Sequence, residues 1–298
     1  MVRAYASLVV RGRLWDGREV PSPAGRYGPP DGPALPLVIL GDSSAVTVGV
    51  RERDETNGAR LAGDLVAHLG CAVELTVPAR AGVTTAGMAR QVREVVLRPD
   101  RGVAVVLVGG NDVMLPAGLR RPAAHLGRYV RQLRTAGWQV VVGSCADIGA
   151  APALRRSVRR LASARSRVLA RRQAAVALST GAVVVSLTTD AFRQRPELLY
   201  CADGFHPNAD GYLLYQRRAA VAVRAAAGLV PVGTPPVPGE PADGTFTDPH
   251  RASRHVTREP GACFIPAQCT GRVLMRRYVP APQQEPGTSP SALTPTTT

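Results

Sequence analysis

Short runs of almost wholly apolar residues alternate, over most of the chain, with longer segments in which Ala, Leu and Val recur between arginines. The runs are Leu37-Val-Ile-Leu40, Val73-Glu-Leu-Thr-Val77, Val103-Ala-Val-Val-Leu-Val108, Gln139-Val-Val-Val-Gly143 and Ala182-Val-Val-Val-Ser-Leu187. A strand with no polar face is one covered by helices on both sides, as in a parallel sheet. Helical periodicity fills the gaps: 56–69, 85–97, 122–136, 153–180 and, after the last run, 211–227. Five strands with intervening helices predict an α/β fold, a three-layer α/β/α sandwich around a five-stranded parallel sheet with right-handed crossovers.

The ends read differently. Thirteen of the 26 prolines lie beyond residue 230, in a stretch that ends Thr-Ser-Pro-Ser-Ala-Leu-Thr-Pro-Thr-Thr-Thr. Such a segment buries too little apolar area to offset its ordering entropy, so 231–298 is expected to be a disordered tail. A Gly/Pro-rich stretch, Pro21 to Pro36, closes an N-terminal extension, 1–34. One domain, 35–230, remains, of about the usual size.

Charge sharpens the picture less than its magnitude suggests. All 37 basic residues are Arg, against 22 acidic ones, for a net charge of +15. Without Lys there is no Schiff-base or P-loop chemistry. Arg without Lys in an Ala/Val/Gly-rich chain reflects coding composition, and aromatics amount to only 4%, so nucleic acid is not an expected partner. Five cysteines, Cys71, Cys145, Cys201, Cys263 and Cys269, form neither a disulfide framework nor a zinc pattern, and fit a reducing compartment. No segment reads as a signal peptide or membrane span, which makes the expected location cytoplasmic.

Candidate chemistry sits where strands end. The first strand runs into Gly41-Asp42-Ser43-Ser44 and the third into Gly109-Gly110-Asn111-Asp112. In a sheet of order 2-1-3-4-5 these two ends flank the switch point at which open α/β sheets bind ligands. Gly82 follows the second strand and offers a bare backbone amide. After the fifth comes Asp203-Gly204-Phe205-His206-Pro207, whose spacing lets Asp203 hold one imidazole nitrogen while the other faces the crevice. Each residue also has a plain structural reading: Ser43 as a helix N-cap, Asn111 as a turn residue, His206 as a surface histidine. Asp203, His206 and Asp210 form the only metal set that suggests itself, and it lacks a second His. Cys145 reads as a small buried hydrophobe or a crevice wall.

Together the four blocks resemble the SGNH (GDSL-type) esterase and acyl-hydrolase superfamily, over approximately residues 35 to 230. Gly41-Asp42-Ser43, Gly82, Gly109 to Asp112, and Asp203 to His206 stand in that family's order. The resemblance implies a flavodoxin-like fold without cofactor or metal. Its implied nucleophile is Ser43, its general base His206 and the orienting acid Asp203, with the Ser43 and Gly82 amides and the Asn111 side chain as oxyanion hole. Two positions depart from the pattern: Ser44 stands where the eponymous Leu would be, and Thr47 where many members have Gly. No GxSxG elbow is present, which separates the chain from the α/β-hydrolases.

The resulting expectation is a serine hydrolase that cleaves a small-molecule or lipid ester through an acyl-enzyme. Acyl transfer to an alcohol uses the same intermediate. A non-catalytic anion-binding module on the same sheet is the reading from another class. Between Val113 and Thr189 stand 13 arginines and one acid, Asp147. Leu154, Val158, Leu161 and Val168 recur there at helical spacing, so Arg155 to Arg172 is expected to be a helix with its apolar stripe on the sheet. Its basic face is either simply solvated or a contact for anionic membrane.

Overall fold

The computed structural model describes residues 19–229, 245–246, 248–258, 261–269 and 272–278. Its strands are β1 (Gly25–Tyr27), β2 (Ala34–Gly41), β3 (Ala72–Thr76), β4 (Val103–Leu107), β5 (Gln139–Gly143), β6 (Val183–Val185), β7 (Thr245–Phe246), β8 (Cys263–Cys269) and β9 (Arg272–Tyr278). The helices are α1 (Ser43–Val46), α2 (Asn57–Leu69), α3 (Ala89–Val96), α4 (Gly110–Met114), α5 (Arg120–Thr135), α6 (Arg156–Leu178), α7 (Ala191–Gln194), α8 (Pro196–Leu199), α9 (Ala209–Ala226) and α10 (Pro249–His255).

Five parallel strands form the centre in the order β3-β2-β4-β5-β6, with Leu37 beside Val103, Val105 beside Val141 and Val142 beside Val184. Successive residues of a strand point to opposite faces, so the apolar runs are divided between two cores. Val38, Leu40, Val106 and Val142 pack on one face against α3, α5 and α6. Leu37, Ile39, Val105 and Val141 pack on the other, against α2 and α9. This is the expected three-layer α/β/α sandwich.

Among the described residues the sheet is wider than the five strands expected, with nine in the order β1-β3-β2-β4-β5-β6-β8-β9-β7. At one edge β1, inside the stretch set aside as an extension, pairs antiparallel with β3. At the other, β8 pairs antiparallel with β6, Val184 beside Phe264 and Val185 beside Cys263. The disordered-tail expectation is therefore corrected for the described residues beyond 248. Ala252, Val256, Ala262, Cys263 and Phe264 are fully buried. The Ser186 amide donates to the Ala262 carbonyl at 2.8 Å, and the Ser186 hydroxyl to that of Val256. A composition averaged over 68 residues conceals one short apolar run, Ala262 to Ile265, that an open sheet edge is able to capture. The closing Thr-rich residues lie outside the described ones.

A second correction concerns α6. Of the expected stripe, Leu154 is buried and Val158 and Val168 pack partly buried against the core, but Leu161 is 62% exposed, and the deeper cover comes from Ala162, Ser166, Leu169, Gln173 and Ala177. Small residues let this helix lie close to the sheet, with Leu169 and Leu178 turned inward and Leu161 outward. Among the described residues, no helix is long and apolar enough to cross a membrane.

Candidate active site

The site forms at the carboxyl ends of β2, β4 and β5 together with the loop before α9. Gly41 is in the left-handed region (φ +143°), and a Cβ there would lie 1.8 Å from the Leu107 carbonyl oxygen, so only glycine lets the end of β2 close on β4. The chain then turns at once into α1. Asp42 caps that helix: one carboxylate oxygen accepts from the Ser44 amide (3.0 Å) and hydroxyl (2.7 Å), the other from the Gly109 amide (3.1 Å). Burial pushes its carboxyl up, against the pull of these donors. The cap is thus Asp42, and Ser43 is left half-buried at the head of the turn.

Both departures from the family pattern have a structural counterpart. Ser44 supplies the hydroxyl bound by Asp42, and its carbonyl accepts from the Asn57 amide group at 3.0 Å. Thr47 adopts the left-handed conformation (φ 69°) that glycine takes without strain. Its side chain is buried and accepts from the Asn57 backbone amide at 3.1 Å, which offsets part of the strain.

Asn111 lies in the first turn of α4 and donates through Nδ2 to the Val83 carbonyl at 2.8 Å. The neighbouring Asp112 accepts from the Thr85 amide (2.9 Å) and hydroxyl (2.7 Å), and burial raises its carboxyl. These bonds tie the loop holding Gly82 to α4. Gly82 itself is exposed, left-handed (φ +81°), and has nothing near a would-be Cβ.

His206 is fixed by its own loop. Tyr200 and Pro207 form a β-bridge, the Cys201 amide donates to the His206 carbonyl (2.9 Å), and Gly204 turns the chain at φ +64°. Within it, His206 Nδ1 stands 2.6 Å from Asp203 Oδ2, with the two side chains 11% and 7% exposed. The other carboxylate oxygen accepts from the Phe205 amide (2.8 Å), the His206 amide (2.9 Å) and the Cys201 thiol (3.1 Å). Burial alone would raise the Asp203 carboxyl. The His206 bond and charge and the two amides outweigh it and hold the group well below the ordinary carboxylate range. Burial and Asp203 together push the Cys201 thiol up to about 11, so it stays a donor.

Ser43, Asn111 and His206 line one cavity of about 90 Å³, and Cys145 is in its wall. Asp203 and Gly82 are not among the lining residues: Asp203 stands behind His206, and Gly82 one residue before the carbonyl that Asn111 binds. Asp210 is exposed, and among the described residues no three His, Cys, Asp or Glu side chains gather as metal ligands.

Several supports escaped the sequence reading. Gly49 (φ +116°) lies so close to the histidine loop that a Cβ would be 2.3 Å from the Pro207 carbonyl. Gln91 returns both ends of its amide to the Gly41 backbone (2.9 and 3.0 Å). Gln173 bridges the Cys145 amide and the Val108 carbonyl (both 2.8 Å). Arg165 closes α4 by donating to the carbonyls of Val113, Leu115 and Ala117. None belongs to a short motif, and helix periodicity alone gives no sign of where a long polar side chain ends.

An α/β/α sandwich with a serine at the end of one central strand, an asparagine at the end of the next, and a buried Asp-His pair just before α9 defines a class. Residues 39–214 match the family model described as GDSL-like Lipase/Acylhydrolase family, and the chain belongs to that family. It is 37% identical over 182 residues to the GDSL-like esterase Rv1075c of Mycobacterium tuberculosis, which covers 60% of this chain and 58% of that protein, so the likeness spans a little over half of the relative's length. In fold it is similar to the lipase Lip_vut3 from a goat rumen metagenome (TM-score 0.52, 18% identity, 64% of this chain and 99% of that one). It is likewise similar to the psychrotrophic esterase EstA from Pseudoalteromonas sp. (TM-score 0.50, 15% identity, 64% and 97%).

Proposed function

We propose that the protein is a serine esterase that cleaves carboxylic esters through an acyl-enzyme. The observation that supports this most is the 2.6 Å His206–Asp203 bond on a cavity whose wall also holds Ser43 and Asn111. Ser43 Oγ attacks the ester carbonyl while His206 Nε2 takes its proton and Asp203 holds the Nδ1 proton. The carbonyl oxygen becomes an oxyanion, received by the Ser43 and Gly82 amides and the second Nδ2 hydrogen of Asn111. His206 returns the proton to the leaving alcohol; water then enters by the same route and releases the acid. An alcohol in place of water gives acyl transfer, distinguished by product analysis with added acceptor.

Turnover of p-nitrophenyl esters tests the reading against a non-catalytic anion-binding module. In the active enzyme Asn111→Ala is expected to lower kcat by roughly 10²- to 10³-fold, because an oxyanion donor is lost. An unchanged kcat would leave Asn111 with only its bond to Val83.

A thiol donor at Cys201 requires the reduced form, which suits a cytoplasmic enzyme. On α6 and its approach, Arg155, Arg156, Arg160, Arg167 and Arg171 are exposed, and the exposed Leu161 stands among them. This face serves as a peripheral contact for anionic lipid. Sedimentation with vesicles should then require anionic lipid, fall with salt, and weaken when Arg155, Arg156 and Arg160 become Gln. Salt-insensitive binding, or none, would reduce the face to a solvated one.

A further inference from the structure

Among the described residues, three glutamines are more than nine-tenths buried: Gln91, Gln173 and Gln216. The first two use both ends of the carboxamide to staple strand ends, as described above. The third, on α9, is 8% exposed and makes no such staple. Its carboxamide is not among the polar atoms closed off without a partner, so it opens on the cavity that it lines, a polar group on a largely apolar wall where a ligand oxygen can be held.

Gln216 lines the same cavity as Ser43. Beneath the serine that cavity runs between the sheet and α9, and Leu61, Leu107, Leu187 and Ala219 form its apolar walls. Gln216 is seven residues into α9, roughly 10 Å along the helix from the end that follows the histidine loop. An apolar cavity of about 150 Å³ admits benzene, so a volume of about 90 Å³ has room for a short aliphatic chain.

Resting on the esterase reading, we infer that this cavity receives the acyl chain of the substrate, and that Gln216 binds an oxygen carried on that chain. The ester class is therefore that of short oxygen-bearing acyl groups, oxoacyl esters foremost, since a carbonyl accepts from the carboxamide NH₂. A plain alkyl chain of equal length leaves the amide unpaired. A site built to pair a polar group discriminates sharply against the analogue that lacks it.

The experiment compares matched p-nitrophenyl esters, pentanoate with 4-oxopentanoate and heptanoate with 6-oxoheptanoate, on the full chain. The wild type should favour the oxo member of at least one pair by tenfold or more in kcat/KM, and Gln216→Leu should lose or reverse that preference. Ala219→Leu, which adds bulk to the cavity wall and leaves the Gln216 carboxamide in place, should lower the pentanoate-to-acetate ratio of kcat/KM at least tenfold. No oxo preference, a preference that survives in Gln216→Leu, or an unchanged ratio in Ala219→Leu overturns this inference while the esterase reading stands. A wild type that hydrolyses none of the esters overturns both.

Discussion

Ser43→Ala is expected to lower ester turnover by roughly 10⁴- to 10⁶-fold and to abolish labelling by a fluorophosphonate probe, with the fold intact. The side chain makes no bond that holds the turn together. Asp42 caps α1, and Ser44 and Thr47 carry the links to α2. Labelling that persists in the variant would mean the nucleophile lies elsewhere. In the same assay Asp203→Asn should cost roughly 10³- to 10⁴-fold, because an amide does not fix the imidazole tautomer. The sign of the acid response follows from the Asp203 carboxyl, held below its ordinary range. Its stabilising charge is present above the ordinary carboxylate pKa of about 3.9 and is lost only as pH falls through the lower native value. Asp203 therefore keeps its charge at every pH above about 4, and no step of the activity profile there should belong to it. A second acidic step in the kcat/KM profile would show that Asp203 titrates there.

Phe264→Ala is expected to destabilise the protein by about 3 to 5 kcal/mol, and a chain ending at Val230 to aggregate or fail to fold. Phe264 is fully buried beside Val184, and Ala252, Val256 and Ala262 share that core while Cys263 enters the other. Removing them bares the edge of β6, a short apolar strand with unpaired backbone groups, which is a template for association. Thermal melts of the variant and the size distribution of the truncated chain provide the measurements. A truncated chain that stays monomeric, with unchanged melting, would show that the C-terminal strand contributes nothing to the core.

How much of this was legible depended on how local the cause is. The central strands were readable because a strand covered on both faces must be apolar throughout: Gln139–Gly143 matches its sequence run residue for residue, and Val103–Leu107 differs by one. Helix α2 begins one residue after the expected start because Thr56 is its cap, accepting from the Ala59 amide. The edges were not readable. Gly25–Tyr27 has no strand signature of its own and is a strand only because β3 offers its free side, while Cys263–Cys269 is hidden among prolines and owes its conformation to β6.

The sequence by itself determined the two-period split of the apolar runs, hence the layered core, and the order in which Ser43 and Asn111 at strand ends, then Asp203 and His206 on the loop before α9, enter the site. Those follow from side-chain periodicity and from chain turns that glycine permits, which are properties of neighbouring residues. Only the tertiary structure decided which polar groups are satisfied. Gln91 and Gln173 find backbone partners 50 and 28 or more residues away, Cys201 reaches the far oxygen of Asp203, and Gln216 is left facing a cavity. A hydrogen bond depends on distance and angle in space, and the sequence of a helix states which residues it contains but not where the end of each side chain comes to rest.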